Sequence, residues 1–419
     1  MEVGAANGFP EAKMKSPLQN PAIRFARRTA VPLIFAFCVA FGAGTIAQDA
    51  TANKQIPATQ NPANQAPVGD ATPAASDPEQ ELQLGTALTR QGSFSEAIPH
   101  LVAARGRVTN EYAASFNLAL CYLGTDQYKH AIEVLNAVRE SGHDGADVEN
   151  LLAQAYIGNS QPDDALAALE KAADISPQSE KLYAFVADAC ADHRQYRLGL
   201  KVVAVGLHNL PQSARLHYER AIFLTQLDAL DQAKQDFALA AKLAPGSEIA
   251  TLASAHEHLL TGDVEETIRI AREGVKQGFD NPGLLTILGE ALIRSGVRPG
   301  EPDFNEARTV LDKAVTKQPE DFASQIALGT LDLTAGQLET SIQHLQKASE
   351  LDPGSPAVYA NLAKAYQRRG DAQLAQDALK TLQKLNQQQA DRINSAPGDR
   401  KLGYASQNLA GQDVTPEKH

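Results

Sequence analysis

Between residues 146 and 179 the apolar positions fall at helical spacing twice over. Leu152, Ala153 and Tyr156 lie three and four residues apart and share one helix face; residues 159–164 break the pattern; Ala165, Leu169 and Ala172 then define a second face that runs to Ser176. Pro177 closes the second stretch, because proline disfavours helical geometry in the residue before it. The pattern predicts an antiparallel helical hairpin. No strand-like alternation of apolar and polar residues is sustained anywhere in the chain.

The same skeleton returns every 34 residues. Pro177, Pro211 and Pro245 keep that spacing, as do Pro319 and Pro353. A small residue follows the first apolar position of each first helix: Gly85, Ala119, Ala153, Ala187, Ala221, Ala255, Gly289, Gly329 and Ala363. A further small position recurs early in each second helix, from Ala97 to Ala375, and another late in the first eight of them, from Ala104 to Ala348. Small side chains at such points let two helix backbones approach closely.

This spacing, with small residues at these points and a proline at the end, resembles the tetratricopeptide repeat. No repeat carries the Trp often seen at the start of the first helix, and the usual Tyr position holds Cys190, His258 and Asp332 in three repeats. The resemblance implies an all-α, right-handed α-solenoid or superhelix of stacked helix–turn–helix repeats, nine of them over 78–389, starting near 78, 112, 146, 180, 214, 248, 282, 322 and 356. An array of this kind counts as one elongated domain, since it grows by stacking.

Six additional residues around Gly296 and Pro302 are expected to lengthen the turn inside the seventh hairpin, either as a tolerated surface loop or as a contact for a partner. Ser93, Ser95 and Glu96 are expected to supply capping chemistry for the second helix of the first repeat, with Pro99 in its opening turns. The last helix, from about Gln373 to Arg392, turns polar toward its end, as a terminal repeat requires.

The flanks differ from the array. Arg24, Arg27 and Arg28 precede an uncharged run from Thr29 to Gln48 that ends in small residues, which reads as an export signal within 1–47, or, if uncleaved, as a membrane anchor. Met14 is an alternative start. A twin-arginine or lipoprotein signal fits the context of Arg27–Arg28 and of Cys38 poorly. Either way the array is expected beyond the membrane, in a bacterial periplasm. Residues 48–77 are rich in Pro, Ala, Gln and Asn and read as a disordered linker, and 390–419 as a polar tail.

The net charge is −12; the first 47 residues contribute +3, leaving −15 on the remainder, which argues against nucleic acid as a partner, since binding phosphates needs a basic stripe. Beyond Cys38 only Cys121 and Cys190 remain, two repeats apart and too distant for a disulfide, so both are expected as buried thiols. No catalytic constellation, cofactor or metal site emerges. His256 and His258 lie two apart and point to different sides of a helix. His258 is expected to pack between helices, and Asp332 to make a local polar contact.

In the tetratricopeptide family the second, fifth, ninth, twelfth and thirteenth residues of each repeat face a concave groove. Carried across, these positions include Asn150, Gln154, Lys181, Asp188, Asp192, Arg215, Tyr218, Thr225, Gln226, His256, Glu290, Arg294, Lys364, Gln367 and Arg368. They form a polar groove of mixed sign, either a binding surface or a solvated helix face. The carboxylate clamp of chaperone-binding relatives is incomplete, with Lys181 and Asn117 alone in place; an asparagine ladder is likewise reduced to Asn117 and Asn361. The reading is a non-enzymatic exported scaffold that binds a protein or extended peptide, or else a membrane-tethered assembly factor for envelope or polysaccharide-export machinery. The oligomeric state is not legible.

Overall fold

The computed structural model describes residues 77–395. The expected signal, most of the linker and the tail beyond 395 lie outside them. Among the described residues there are eighteen α-helices and no strand. They pair into nine hairpins: α1 (Pro78–Arg90) with α2 (Phe94–Ala104), α3 (Glu111–Gly124) with α4 (Tyr128–Glu140), α5 (Ala146–Gly158) with α6 (Pro162–Ile175), α7 (Glu180–Asp192) with α8 (Tyr196–Asn209), and α9 (Ala214–Gln226) with α10 (Leu230–Leu243). There follow α11 (Glu248–Thr261) with α12 (Val264–Lys276), α13 (Pro282–Arg294) with α14 (Pro302–Lys317), α15 (Phe322–Ala335) with α16 (Leu338–Leu351), and α17 (Pro356–Arg369) with α18 (Ala372–Ser395).

The chain divides into two compact units between Pro211 and Gln212, in place of the single domain expected from the sequence. A stack in which each hairpin packs only on its neighbours has no central core to hold it to one unit. Within each unit every helix packs on the next, and first helices of successive repeats also touch.

The small positions explain the close packing. All nine small residues of the first helices are buried, as are their counterparts early in the second helices. A Cβ on Gly289 would lie 2.4 Å from Leu311 Cγ, and one on Gly329 2.6 Å from Leu345 Cγ. Adding that single carbon forces overpacking worth about 1–3 kcal/mol. Ser341, at a small position, hydrogen-bonds the Gly329 carbonyl at 2.7 Å, so its hydroxyl is satisfied inside the hairpin.

Caps and prolines set the ends. Asn110, Ser213, Ser247, Asp263, Asn281 and Asp321 each accept a hydrogen bond from the first turn of their helix, each worth about 1 kcal/mol. Ser93 is different from expectation: it occupies the N-cap of α2, but neither extended backbone nor a side-chain bond makes it a cap. Pro99 lies in the second turn of that helix. Each of Pro177, Pro211, Pro245, Pro319 and Pro353 stands two residues past the end of a second helix.

One recurring feature escaped the pattern of apolar residues. Every hairpin turn places a residue in the left-handed region, at Gly92, Asp126, Ser160, Arg194, Asp228, Gly262, Gly296, Gly336 and Gly370, with Gly300 as a second in the longer seventh turn. Repeats two to five do so without glycine, at φ 58°, 60°, 54° and 64°. The turn is tied by a backbone bond back across it, as from Gln161 N to Tyr156 O and Gln195 N to Cys190 O, both 2.8 Å.

In the seventh repeat the six extra residues are shared. The turn runs from 295 to 301 where other turns have two or three residues, such as 159–161, and α14 is two residues longer than the 14-residue α6. Pro302 starts α14, and the turn folds on itself through Arg298 N to Glu301 Oε2 at 2.8 Å.

Candidate functional site

The fifteen candidate positions do not share one environment. Asn150 and Gln154 open onto a cleft that lies wholly in the N-terminal unit, among the first helices of repeats two, three and four. α3 contributes Phe116 and Leu120, α5 contributes Ala146, Asp147, Asn150, Leu151 and Gln154, and α7 contributes Leu182 and Phe185, with Ser176 and Ser179 on the connection. It encloses about 580 Å³ of free space, part of it open to solvent.

The polar groups in it are placed by helical register. Asp147, Asn150 and Gln154 follow at intervals of three and four, so they form one stripe along α5. Asn150 donates from Nδ2 to the Leu182 carbonyl at 2.8 Å, and its Oδ1 accepts from Gln154 Nε2 at 2.8 Å. Both side chains are buried. The first amide is thereby fixed at both ends, while Gln154 Oε1 has no partner among the described residues. Asp147 is half-buried at the rim, and burial holds its carboxyl above the usual carboxylate range.

Phe116, half-buried, stands on the cleft wall and stacks on Tyr112 at 5.5 Å, and Tyr112 stacks on His143 at 5.0 Å. The sequence reading kept the polar occupants of the fifth and ninth positions and passed over the apolar ones. Phe116 and Leu120 hold those same two positions in the second repeat, so their register was there to be used. Phe185 sits one position off the pattern and carried no such signal.

The remaining candidates lie elsewhere. Lys181 is exposed and outside the cleft lining; Asp188 is buried and Asp192 half-buried on α7. Arg215 pairs with Glu219 at 3.9 Å. Tyr218 and His256 are buried together: the Tyr218 hydroxyl lies 3.0 Å from His256 Nδ1, and the imidazole stacks on Phe237 at 5.3 Å. Thr225 and Gln226 border the small cavity beside that stack, and the Thr225 hydroxyl is spent on the Ala221 carbonyl at 2.8 Å. Lys364, Gln367 and Arg368 are exposed, with Arg368 reaching the Leu333 carbonyl at 2.7 Å.

Buried Glu290 and half-buried Arg294 pair on α13, 3.7 Å apart. Neither carboxylate oxygen of Glu290 has a hydrogen-bond partner among the described residues. Burial pushes its carboxyl up to about 8, against the pull of Arg294 and with the help of Asp321.

Other expectations resolve as follows. His258 is half-buried and pairs with Asp263 at 3.4 Å; the histidine packed between helices is His256, because the ninth position of the repeat turns inward here and the eleventh lies at the helix end. Asp332 does make a local polar contact, fully buried against Arg308. Cys121 and Cys190 are free and buried; burial pushes the Cys121 thiol up to about 11 and raises Cys190 as well. No helix among the described residues is long and apolar enough to cross a membrane.

The chain matches the tetratricopeptide repeat family over residues 88–155 and 148–179, and the TPR repeat over 333–370. Tetratricopeptide repeat protein 34 of Homo sapiens is 28% identical over 210 residues, 45% of this chain and 35% of its own length. The TPR repeat-containing protein YpiA of Bacillus subtilis (strain 168) is 22% identical over 256 residues, 60% of this chain and 57% of its own. The chain thus spans about a third of the human relative and just over half of the bacterial one. Among solved structures, the APC/C hetero-tetramer Cut9–Hcn1 is similar with a TM-score of 0.44 at 14% identity, over 80% of this chain and 82% of that one. Yeast Tom70 gives 0.35 at 14% identity over 80% and 97%. Nine hairpins with buried small residues at fixed register, and family matches in both halves of the array, make this chain a tetratricopeptide repeat protein.

Proposed function

We propose that this chain is a non-enzymatic scaffold whose N-terminal unit takes up an extended segment of a partner protein in the cleft among α3, α5 and α7. The tetratricopeptide fold is one of protein-interaction scaffolds, and the matched family brings no catalytic site with it. The observation that carries the narrower reading is the buried amide pair. Asn150 is fixed by the Leu182 carbonyl and holds Gln154 in turn, which leaves the Gln154 carbonyl oxygen available as an acceptor in a cleft whose walls carry Phe116, Leu120, Leu151, Leu182 and Phe185. That oxygen lacks a donor among the described residues, and a hydrogen bond to it is worth about 0.5–1.5 kcal/mol net. The backbone N–H of an extended segment supplies that donor, and the apolar lining accepts one of its side chains.

Selection of a displayed random peptide library on the full chain tests this. Enriched peptides should bind the wild type and lose about tenfold or more with Gln154→Ala combined with Phe185→Ala. Peptides that bind both proteins alike would place the site elsewhere. The array lies beyond the membrane in this reading, released or held by residues 29–48; the mass of the mature protein purified from its source distinguishes the two.

A further inference from the structure

The cleft carries one group that the amide pair does not explain. Asp147 stands at its rim, half withdrawn from water, and none of the described residues forms an ion pair with it. Two acidic neighbours differ in being paired: Glu149 on α5 has Arg139 at 3.4 Å and Lys171 at 3.8 Å, and Glu111 on α3 has Arg105 at 3.9 Å. Lys181, the cation nearest in register, is exposed and does not line the cleft. Over residues 78–211 ten Lys and Arg stand against seventeen Asp and Glu, a net charge of −7. A field of that sign raises the local concentration of cations and repels acidic peptides.

Building on the reading of the cleft as a peptide site, we propose that its occupant is a segment pairing a bulky apolar side chain with a lysine or arginine one to three residues away. The apolar side chain enters between Phe116, Leu151 and Phe185, and the cation meets Asp147. The spacing follows from α5. Asp147 and Gln154 are seven residues apart, about 10 Å along a helix, and an extended chain covers that in about three residues. A cation at the Asp147 end therefore leaves a backbone N–H of the same segment within reach of Gln154 Oε1. Until the cation arrives, Asp147 bears the cost of partial burial with no opposite charge, which is why its carboxyl sits above the usual range.

The test uses the full chain and four capped, fluorescein-labelled octapeptides of otherwise Gly and Ser, carrying Leu–Ser–Arg, Leu–Ser–Gln, Leu–Ser–Glu or Ser–Ser–Arg at the centre. Fluorescence anisotropy should rank Leu–Ser–Arg first, with Leu–Ser–Glu weaker by about tenfold. Asp147→Asn, confirmed folded by circular dichroism, should bring Leu–Ser–Arg down to the level of Leu–Ser–Gln and leave the latter unchanged; Lys181→Glu should not alter the order. Equal binding of the Arg, Gln and Glu peptides, all weakened by Phe185→Ala, would overturn the choice of a basic partner while keeping the cleft as the site. Equal binding of Ser–Ser–Arg and Leu–Ser–Arg would reduce the effect to surface charge and overturn the proposal. Absence of binding by all four up to millimolar concentration would overturn both this proposal and the peptide-site reading.

Discussion

The fifth and ninth positions of the third repeat, in the N-terminal unit, meet different surroundings from those of the fifth and seventh repeats, in the C-terminal unit. In the third repeat they hold Asn150 and Gln154, whose amides border an open cleft. In the C-terminal unit the same positions hold Tyr218, packed with Phe237 and His256, and further on Thr286 and Glu290, all buried. Thr286 spends its hydroxyl on the Pro282 carbonyl and on Ser324 Oγ at 2.7 Å. Register alone therefore decides which residues share a face. Whether that face opens depends on what stands opposite: Phe237 and His256 pack on Tyr218 in the C-terminal unit, while Asn150 and Gln154 in the N-terminal one border a cleft walled by Phe116 and Phe185.

The comparison breaks most visibly at Phe237. Phe237→Ala should destabilise the C-terminal unit by about 3–5 kcal/mol, read from urea unfolding, and leave peptide binding by the N-terminal cleft unchanged. Arg294→Glu comes close behind, because it sets a second carboxylate beside buried Glu290 and removes the cation that pairs with it among the described residues; a loss of about 3 kcal/mol or more is expected in the same experiment.

Glu290→Gln sharpens the contrast in the other direction. The native carboxyl titrates near 8 and the unfolded one near the ordinary glutamate value, so between those values the native state holds a proton that the unfolded state has lost. Stability should fall as pH rises through that window. It should be level below the window, where both states are protonated, and level again above it. The glutamine variant should remove the fall and gain about 1–3 kcal/mol at pH 8, seen as a flat profile of melting temperature against pH.

The smallest effect concerns the turns. Arg194→Gly and Asp228→Gly place glycine where the backbone is already left-handed, at φ 54° and 64°, and should stabilise by about 0.5–1 kcal/mol in denaturant melts. The equivalent change at Gln127, just outside that conformation in the second repeat, should give no such gain.

Much of the fold was legible because it rests on period and size. The 34-residue spacing of the prolines and small residues places each hairpin, and burial of every one of those small residues follows from the helix contact they permit. The candidate site was legible only by half. Asn150 and Gln154 were found from register, whereas Phe116 was missed because a groove was expected to be polar and Phe185 because it lies one position off the groove pattern. Arg294 and His256 read as exposed groove residues, yet each is claimed by neighbours: Arg294 by Glu290 and the Leu259 carbonyl, His256 by Tyr218 and Phe237. A sequence position states a direction on its helix; what stands opposite comes from another repeat and is absent from the local pattern. The division at Pro211 was hidden for the same reason, since the repeat spacing continues across it unchanged.

Hydrogen–deuterium exchange of the full chain, with and without a saturating selected peptide, tests the central claim most directly. The account predicts slowed exchange confined to peptic fragments covering Glu111–Gly124, Ala146–Gly158 and Glu180–Asp192. Protection within 212–395, with none on those three helices, would contradict it.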